Sequence, residues 1–196
     1  MKTYQVKVTF TEPLLGTVPL NSELYDDYIA TKAPSLENGE QELGTIEELT
    51  EKGTTGFHRV DGKPVIYDYA IKGFCKDACG MLRRVDGTES KKLTNFKKQI
   101  DGLVFVKPRQ IPVQVVGEIG ILERPLRAQT AQGERVALSR SESIQAGSSM
   151  AFTVKVLGGI SEKLLREWLE YGELRGLGQW RNGGYGSFTY EMTEVA

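Results

Sequence analysis

A chain of 196 residues that is 39% apolar and 9% aromatic can bury a substantial core, which excludes wholesale disorder. Its 25 basic and 26 acidic side chains leave a formal charge of −1, so it is no generic polycation held to nucleic acid by bulk attraction. No run approaches the ~18 apolar residues of a membrane span and Met1 opens no signal-peptide core, so the expectation is a cytoplasmic protein with no membrane partner.

The charge is unevenly spread. Residues 1–58 hold 4 basic and 10 acidic side chains, residues 59–140 hold 16 and 9, and residues 141–196 hold 5 and 7. A polyanion would therefore be held by the central stretch. Along the chain, Tyr4, Val6, Val8 and Phe10 alternate with Gln5, Lys7 and Thr9, the period of a half-buried strand. From Thr11 to Phe57 prolines and glycines break every pattern in an acidic stretch too long for a plain connection, so 11–57 is expected to be an ordered insertion or an arm. After the turn dipeptide Asp61-Gly62, Ile71, Phe74, Cys75, Ala78 and Leu82 recur at helical spacing and predict a helix over roughly 70–84. Cys75 and Cys79 would then pack on one face as small apolar groups, and one histidine, His58, leaves a zinc site short of ligands. No metal or cofactor is expected.

The Lys-rich stretch 86–101 leads into short strands over 103–106, 111–116 and 118–122. Residues 124–140 are weakly apolar and punctuated by arginine, which predicts an irregular basic loop. Met150, Phe152, Val154 and Val156 form another alternating strand. Ser161 caps a helix through about Tyr171, and a closing strand runs to Met192. Between these last two elements, six of the seventeen residues from Gly172 to Phe188 are glycine. The order strand, helix, strand, strand, helix, strand predicts an α+β ferredoxin-like (RRM-like) antiparallel sheet with helices on one face, the other face remaining open for a ligand.

The glycine loop lets backbone approach a partner closely and offers amide donors suited to phosphate, while Trp180, Arg181 and Tyr185 within it suit unpaired bases and their backbone. A tight connection around a buried Trp explains the same composition. The loop lacks the context of a dinucleotide site or a P-loop. Nucleophilic catalysis has no G-x-S-x-G elbow to use, and the carboxylate pair Asp26-Asp27 is the one feature that suggests metal-assisted phosphodiester cleavage.

Taken together, the order of motifs resembles the RAMP superfamily of CRISPR effector proteins, closest to the type III backbone subunits. Those proteins carry a turn and helix with Gly-x-Pro-x-Ile-Pro-Gly-Ser-Ser-Leu-Lys-Gly, closing on Leu-Arg. Here Gly62, Pro64, Ile66, Lys72, Gly73 and Leu82-Arg83 keep the spacing, whereas Tyr67-Asp68-Tyr69-Ala70 replaces Pro-Gly-Ser-Ser. Downstream, the arginines are followed by Glu142, Ile144, Gly147 and Phe152, similar to Glu-x-Val/Ile-x-x-Gly-x-x-Phe with a shifted final spacing. The terminal loop matches Gly-Tyr-Gly-x-Phe at Gly184-Tyr185-Gly186-Ser187-Phe188.

What the resemblance implies is one RAMP-like domain over 1–196 that binds guide RNA, multimerises head to tail, and presents the guide to a complementary target nucleic acid beside other effector subunits. A thumb-like projection kinks the RNA in that family, and both 11–57 and 124–140 are candidates for it. The expected RNA contacts are Lys72, Gly73, Lys76, Arg83, Arg84, Arg124, Arg127, Arg135, Arg140, Gly178, Trp180, Arg181, Gly183, Gly184 and Tyr185. The expectation is a non-catalytic subunit of minimal size, as in a phage or mobile-element relative. Two alternatives stay open: a metal-dependent endoribonuclease using an early-loop aspartate, and a phage-encoded decoy that poisons a CRISPR effector complex.

Overall fold

Alternation along the first strand fixes the core face of the sheet. In a computed structural model, which describes residues 1–20, 54–130 and 133–195 and their side chains outside 126–137, β1 (Lys2–Phe10) buries Tyr4, Val6, Val8 and Phe10 and turns Gln5 and Lys7 to solvent. The elements that follow are β2 (Leu14–Leu15), β3 (Val18–Pro19), β4 (Thr54–Gly56), β5 (His58–Val60), β6 (Lys63–Tyr67) and helix α1 (Asp68–Leu82). Then come α2 (Glu89–Lys92), α3 (Phe96–Leu103), β7 (Val104–Lys107), β8 (Gln110–Gln114), β9 (Gly120–Thr130) and β10 (Gly133–Ile144). The chain continues through β11 (Ser149–Val156), α4 (Glu162–Arg175), a 3-10 turn (Arg181–Gly183) and β12 (Phe188–Val195).

The first sheet contains the order β12-β1-β11-β7, with each neighbour antiparallel. With α1 between β1 and β7, and α4 between β11 and β12, this is the α+β ferredoxin-like arrangement that the pattern predicted. β8 continues along β11 and carries β6 and β5 outward. Ile71, Phe74, Cys75 and Ala78 of α1 and Leu164, Leu165, Trp168 and Leu169 of α4 join the strands in one buried cluster, the amphipathic faces read from spacing. Cys75 and Cys79 are free thiols in that core, and burial pushes the Cys75 thiol up to about 12. Ser161 caps α4 as expected, its Oγ accepting from the Leu164 amide at 3.2 Å.

One stretch, 86–101, carries elements that the pattern left undefined, and another differs from expectation. Residues 86–101 hold two short helices, with Thr88 Oγ1 accepting from Lys91 N and the indole Nε1 of Trp168 donating to Ser90 at 3.0 Å. The 124–140 stretch is no irregular loop: β9 and β10 pair in continuous register from Gly120↔Ser143 to Thr130↔Gly133. Among the described residues the ribbon joins the second sheet at its root, where β10 pairs with β4 at Arg140 and Ser141 and with β2 at Ser143 and Ile144. Beyond the root the ribbon is two-stranded among the described residues, and Pro125 sits on a strand whose other side has no partner among them.

The described ends of the 11–57 excursion are tied to the same root. Glu142, 9% exposed, accepts from the Phe57 amide at 3.0 Å and from Arg59 Nη2 at 2.6 Å, while its own carbonyl accepts from Gly16 N at 2.9 Å. Glu142 is thus a clamp inside the fold. Its replacement by alanine strands the buried Phe57 amide, so Glu142→Ala should lower the unfolding free energy by about 2 kcal/mol in urea titration. Glu142→Gln, which keeps an acceptor for that amide, should cost about half as much.

Candidate nucleic-acid interface

The open sheet face is polar. Its outward residues include Gln5, Lys7, Ala151, Thr153, Lys155 and Glu191, with Thr153 Oγ1 donating to Gln5 and Lys7 lying 4.0 Å from Glu191. Phe105 on β7, 41% exposed, is the large aromatic of this face. Cations and rings gather instead around α1 and the glycine loop.

That loop is held by backbone packed on backbone. Gly176, Gly178, Gly184 and Gly186 have φ of 71°, 80°, 84° and 72°, and Trp180 is also left-handed at 57°. A Cβ on Gly178 would stand 2.6 Å from the Leu15 carbonyl oxygen, and one on Gly186 would stand 2.0 Å from that of Leu177. Glycine is therefore required for closure. Three amides of the loop are already engaged, two of them at expected contacts: Gly183 N donates to Trp180 O at 2.8 Å, Gly184 N to Arg181 O at 3.0 Å, and Gly186 N to Pro13 O at 2.9 Å. Gln179 Oε1 accepts from Ser141 at 2.9 Å and from Thr55 at 3.2 Å, binding the loop to β10 and β4.

The ribbon and the loop meet at Arg124. Its guanidinium carbon lies 3.9 Å from the centre of the Trp180 indole and 5.3 Å from that of Tyr185, and the two rings meet edge to face at 6.5 Å. Cation–π contact thus fixes the root arginine against the two aromatics. The same contact covers one face of Trp180.

Across the loop, Arg181 Nη1 lies 2.8 Å and Arg175 Nε 3.1 Å from Asp77 Oδ2 on α1, and Arg175 also bonds Asn182. Gly73, Gly178 and Arg181 line a cavity of about 310 Å³ with Leu15, Ile66 and Phe74. Lys76, Arg83, Arg84 and Lys97 line a second groove on the other side of Asp77. Arg83 rests over the Phe96 ring at 5.0 Å, and Lys76 forms an ion pair with Asp101. Lys72 lies on the remaining flank, 5.1 Å over Phe105, donating to Asp101 O at 3.1 Å.

The structure therefore brings Arg124, Trp180, Tyr185 and Gly183 together, and places Gly73, Gly178 and Arg181 on one cavity. It sets Arg140 apart, since Arg140 is paired with Glu123 at 2.7 Å on the facing strand. Arg127 and Arg135 are placed on the paired strands β9 and β10, and their side chains lie outside the described residues, as do Asp26 and Asp27. Sequence reasoning did not select Lys97 or Phe96, nor Asp77, which holds two of the arginines. It also passed over an aromatic group at the start of α1: Tyr67 and Tyr69 stack at 5.3 Å, and His58 meets Tyr67 edge to face at 4.7 Å. Burial lowers the His58 pKa. No helix among the described residues is long and apolar enough to cross a membrane.

Among known proteins, no family model matches the chain and no curated protein matches it. Solved structures do. A chain of the type III-B Cmr-beta complex bound to cognate target RNA, seen by cryo-EM, superposes with a TM-score of 0.59 at 12% identity over 99% of this chain. This chain spans 60% of the length of that one. A chain of a type IV-B CRISPR complex matches with a TM-score of 0.48 at 13% identity, covering 97% of this chain and 90% of that one. The fold is thus shared with a chain of the type III-B Cmr-beta structure, in agreement with the RAMP resemblance carried by the motifs.

Proposed function

We propose that the protein is a guide-RNA-binding subunit that multimerises head to tail along an RNA in a CRISPR-type effector complex, alongside other effector subunits. The observation that carries this reading is the junction at Arg124, where a two-stranded ribbon with an arginine at its root docks on the aromatic pair of the glycine loop. A two-stranded ribbon that carries four arginines suits an RNA strand laid across its root. The ribbon is then the thumb-like element, and sequence reading passes to base pairing between guide and target. Backbone contact falls to Lys72, Lys76, Arg83, Arg84, Arg124, Arg127, Arg135 and Arg181.

The shared fold of a chain in an RNA-bound complex supports this assignment, as does the sorting of positive charge into residues 59–140. Purification from cells, followed by sequencing of the copurified nucleic acid and mass measurement of the particle, tests it. The expected result is a defined small RNA carrying several copies of the chain. A monomer free of nucleic acid that ignores added oligoribonucleotides would refute the proposal.

A further inference from the structure

After its first residue, α1 carries a single carboxylate, Asp77, which lines the groove of Lys76, Arg83 and Arg84. Taken alone, a negative charge there repels a polyanion and opposes any RNA contact made by the cations around it. Its partners give it a different use. One oxygen, Oδ2, accepts from Arg181 Nη1 at 2.8 Å and from Arg175 Nε at 3.1 Å, so two cations converge on one anion and positive charge is left in excess. The three side chains are between 22% and 31% exposed, where solvent and salt screen less than at an open surface. The node also joins distant parts of the chain, since Arg175 closes α4, Arg181 opens the 3-10 turn of the glycine loop, and Arg175 Nη1 donates to Asn182 beside it.

A guanidinium carries five N–H donors, and the contact with Asp77 engages one nitrogen of Arg181, so the same side chain can meet a phosphate while it stays paired. A long side chain that is free to rotate loses that freedom when it binds. One already held by a carboxylate has lost it on folding, and binding no longer bears the cost. We infer that Asp77 is a positioning residue for RNA binding, holding Arg181 at the cavity beside Gly73 in the orientation that meets a phosphate of the bound strand, an inference that rests on the RNA-binding reading above. Asp77 itself makes no contact with the nucleic acid. The same bond fixes the glycine loop one residue from Trp180, whose ring packs on Arg124, so α1 secures the loop that the ribbon root docks on.

The test measures binding of the full chain to a mixed-sequence single-stranded oligoribonucleotide by fluorescence anisotropy across a salt series, with thermal melts to report that each variant folds. Asp77→Asn removes a negative charge, so electrostatics alone would tighten binding; positioning requires the reverse, a weakening of about fivefold. Arg181→Ala should weaken binding and make the slope of log K against log salt shallower by about 0.7. In that background Asp77→Asn should cause no further weakening, because its effect passes through Arg181. Arg175→Ala leaves the bond between Asp77 and Arg181 in place and should stay within about twofold of the wild type. If Asp77→Asn binds as tightly as the wild type or more tightly, or if Arg175→Ala weakens binding as much as Asp77→Asn does, positioning is refuted while RNA binding stands. If the wild type does not bind the oligonucleotide, both proposals fall.

Discussion

Gly186→Ala should lower the unfolding free energy by about 3 to 5 kcal/mol, the largest stability loss expected from a single methyl group at the described glycines. Two effects add there. The residue is left-handed at φ 72°, which costs an alanine about 1 to 2 kcal/mol, and the new Cβ would lie 2.0 Å from the carbonyl oxygen of Leu177. No rotamer relieves that overlap, because the obstructing atom is backbone and its segment is fixed by Leu177 N donating to Gly186 O at 2.9 Å. Gly184→Ala is the natural comparison: φ is 84°, but nothing lies within 4 Å of the added carbon. It should cost only the conformational penalty of about 1 kcal/mol. Urea midpoints at unchanged m-value measure the difference, and equal losses would show that backbone conformation alone governs the loop.

The second large effect concerns binding. Replacing Arg124, Arg127, Arg135 and Arg140 together by alanine should weaken single-stranded RNA binding at least tenfold near 0.1 M salt. Every phosphate left without its cation takes about 0.7 from the slope of log K against log salt, so the slope should become shallower by roughly 2 to 3. Single substitutions should divide unequally. Arg140 faces Glu123 at 2.7 Å and contributes little net charge, whereas Arg124 lies against the indole and, among the described residues, pairs with no carboxylate. Arg124→Ala should therefore account for more of the weakening than Arg140→Ala. Thermal midpoints of the quadruple variant should move little, the cation–π interaction being worth about 0.5 to 1 kcal/mol at such a site. An unchanged affinity and slope would remove the ribbon from the RNA path.

Elements that bury one face were legible from sequence. β1 and β11 show period-two alternation, α1 and α4 show helical spacing, and all four contribute to the core at the positions read. The ribbon was not legible as strands, because alternation reports a buried face and residues 124–140 show no such alternation. The short helices over 89–92 and 96–103 were missed for a related reason, since α2 buries a serine and α3 one isoleucine, Ile100.

The candidate site was legible as ingredients rather than as an arrangement. Arginines in one stretch and aromatics in another are visible in the sequence, but the Arg124 contact spans more than fifty residues and depends on the register of a hairpin read as a loop. The glycines were read as phosphate donors, yet Gly183, Gly184 and Gly186 give their amides to protein carbonyls. Composition shows that a segment permits close approach; it does not say what approaches. Glu142 stands within a motif of the resembled family, and its geometry assigns it to holding the fold.

One arrangement in the first sheet bears on how the molecule is made. β1 lies between β11 and β12, with Val6 facing Phe152 on one side and Met192 on the other. During synthesis β1 therefore has neither neighbour until the ribosome has passed residue 149. Pairings that distant make closure slow and leave nascent intermediates open to mispairing, so maturation of this sheet should be sensitive to chaperone supply.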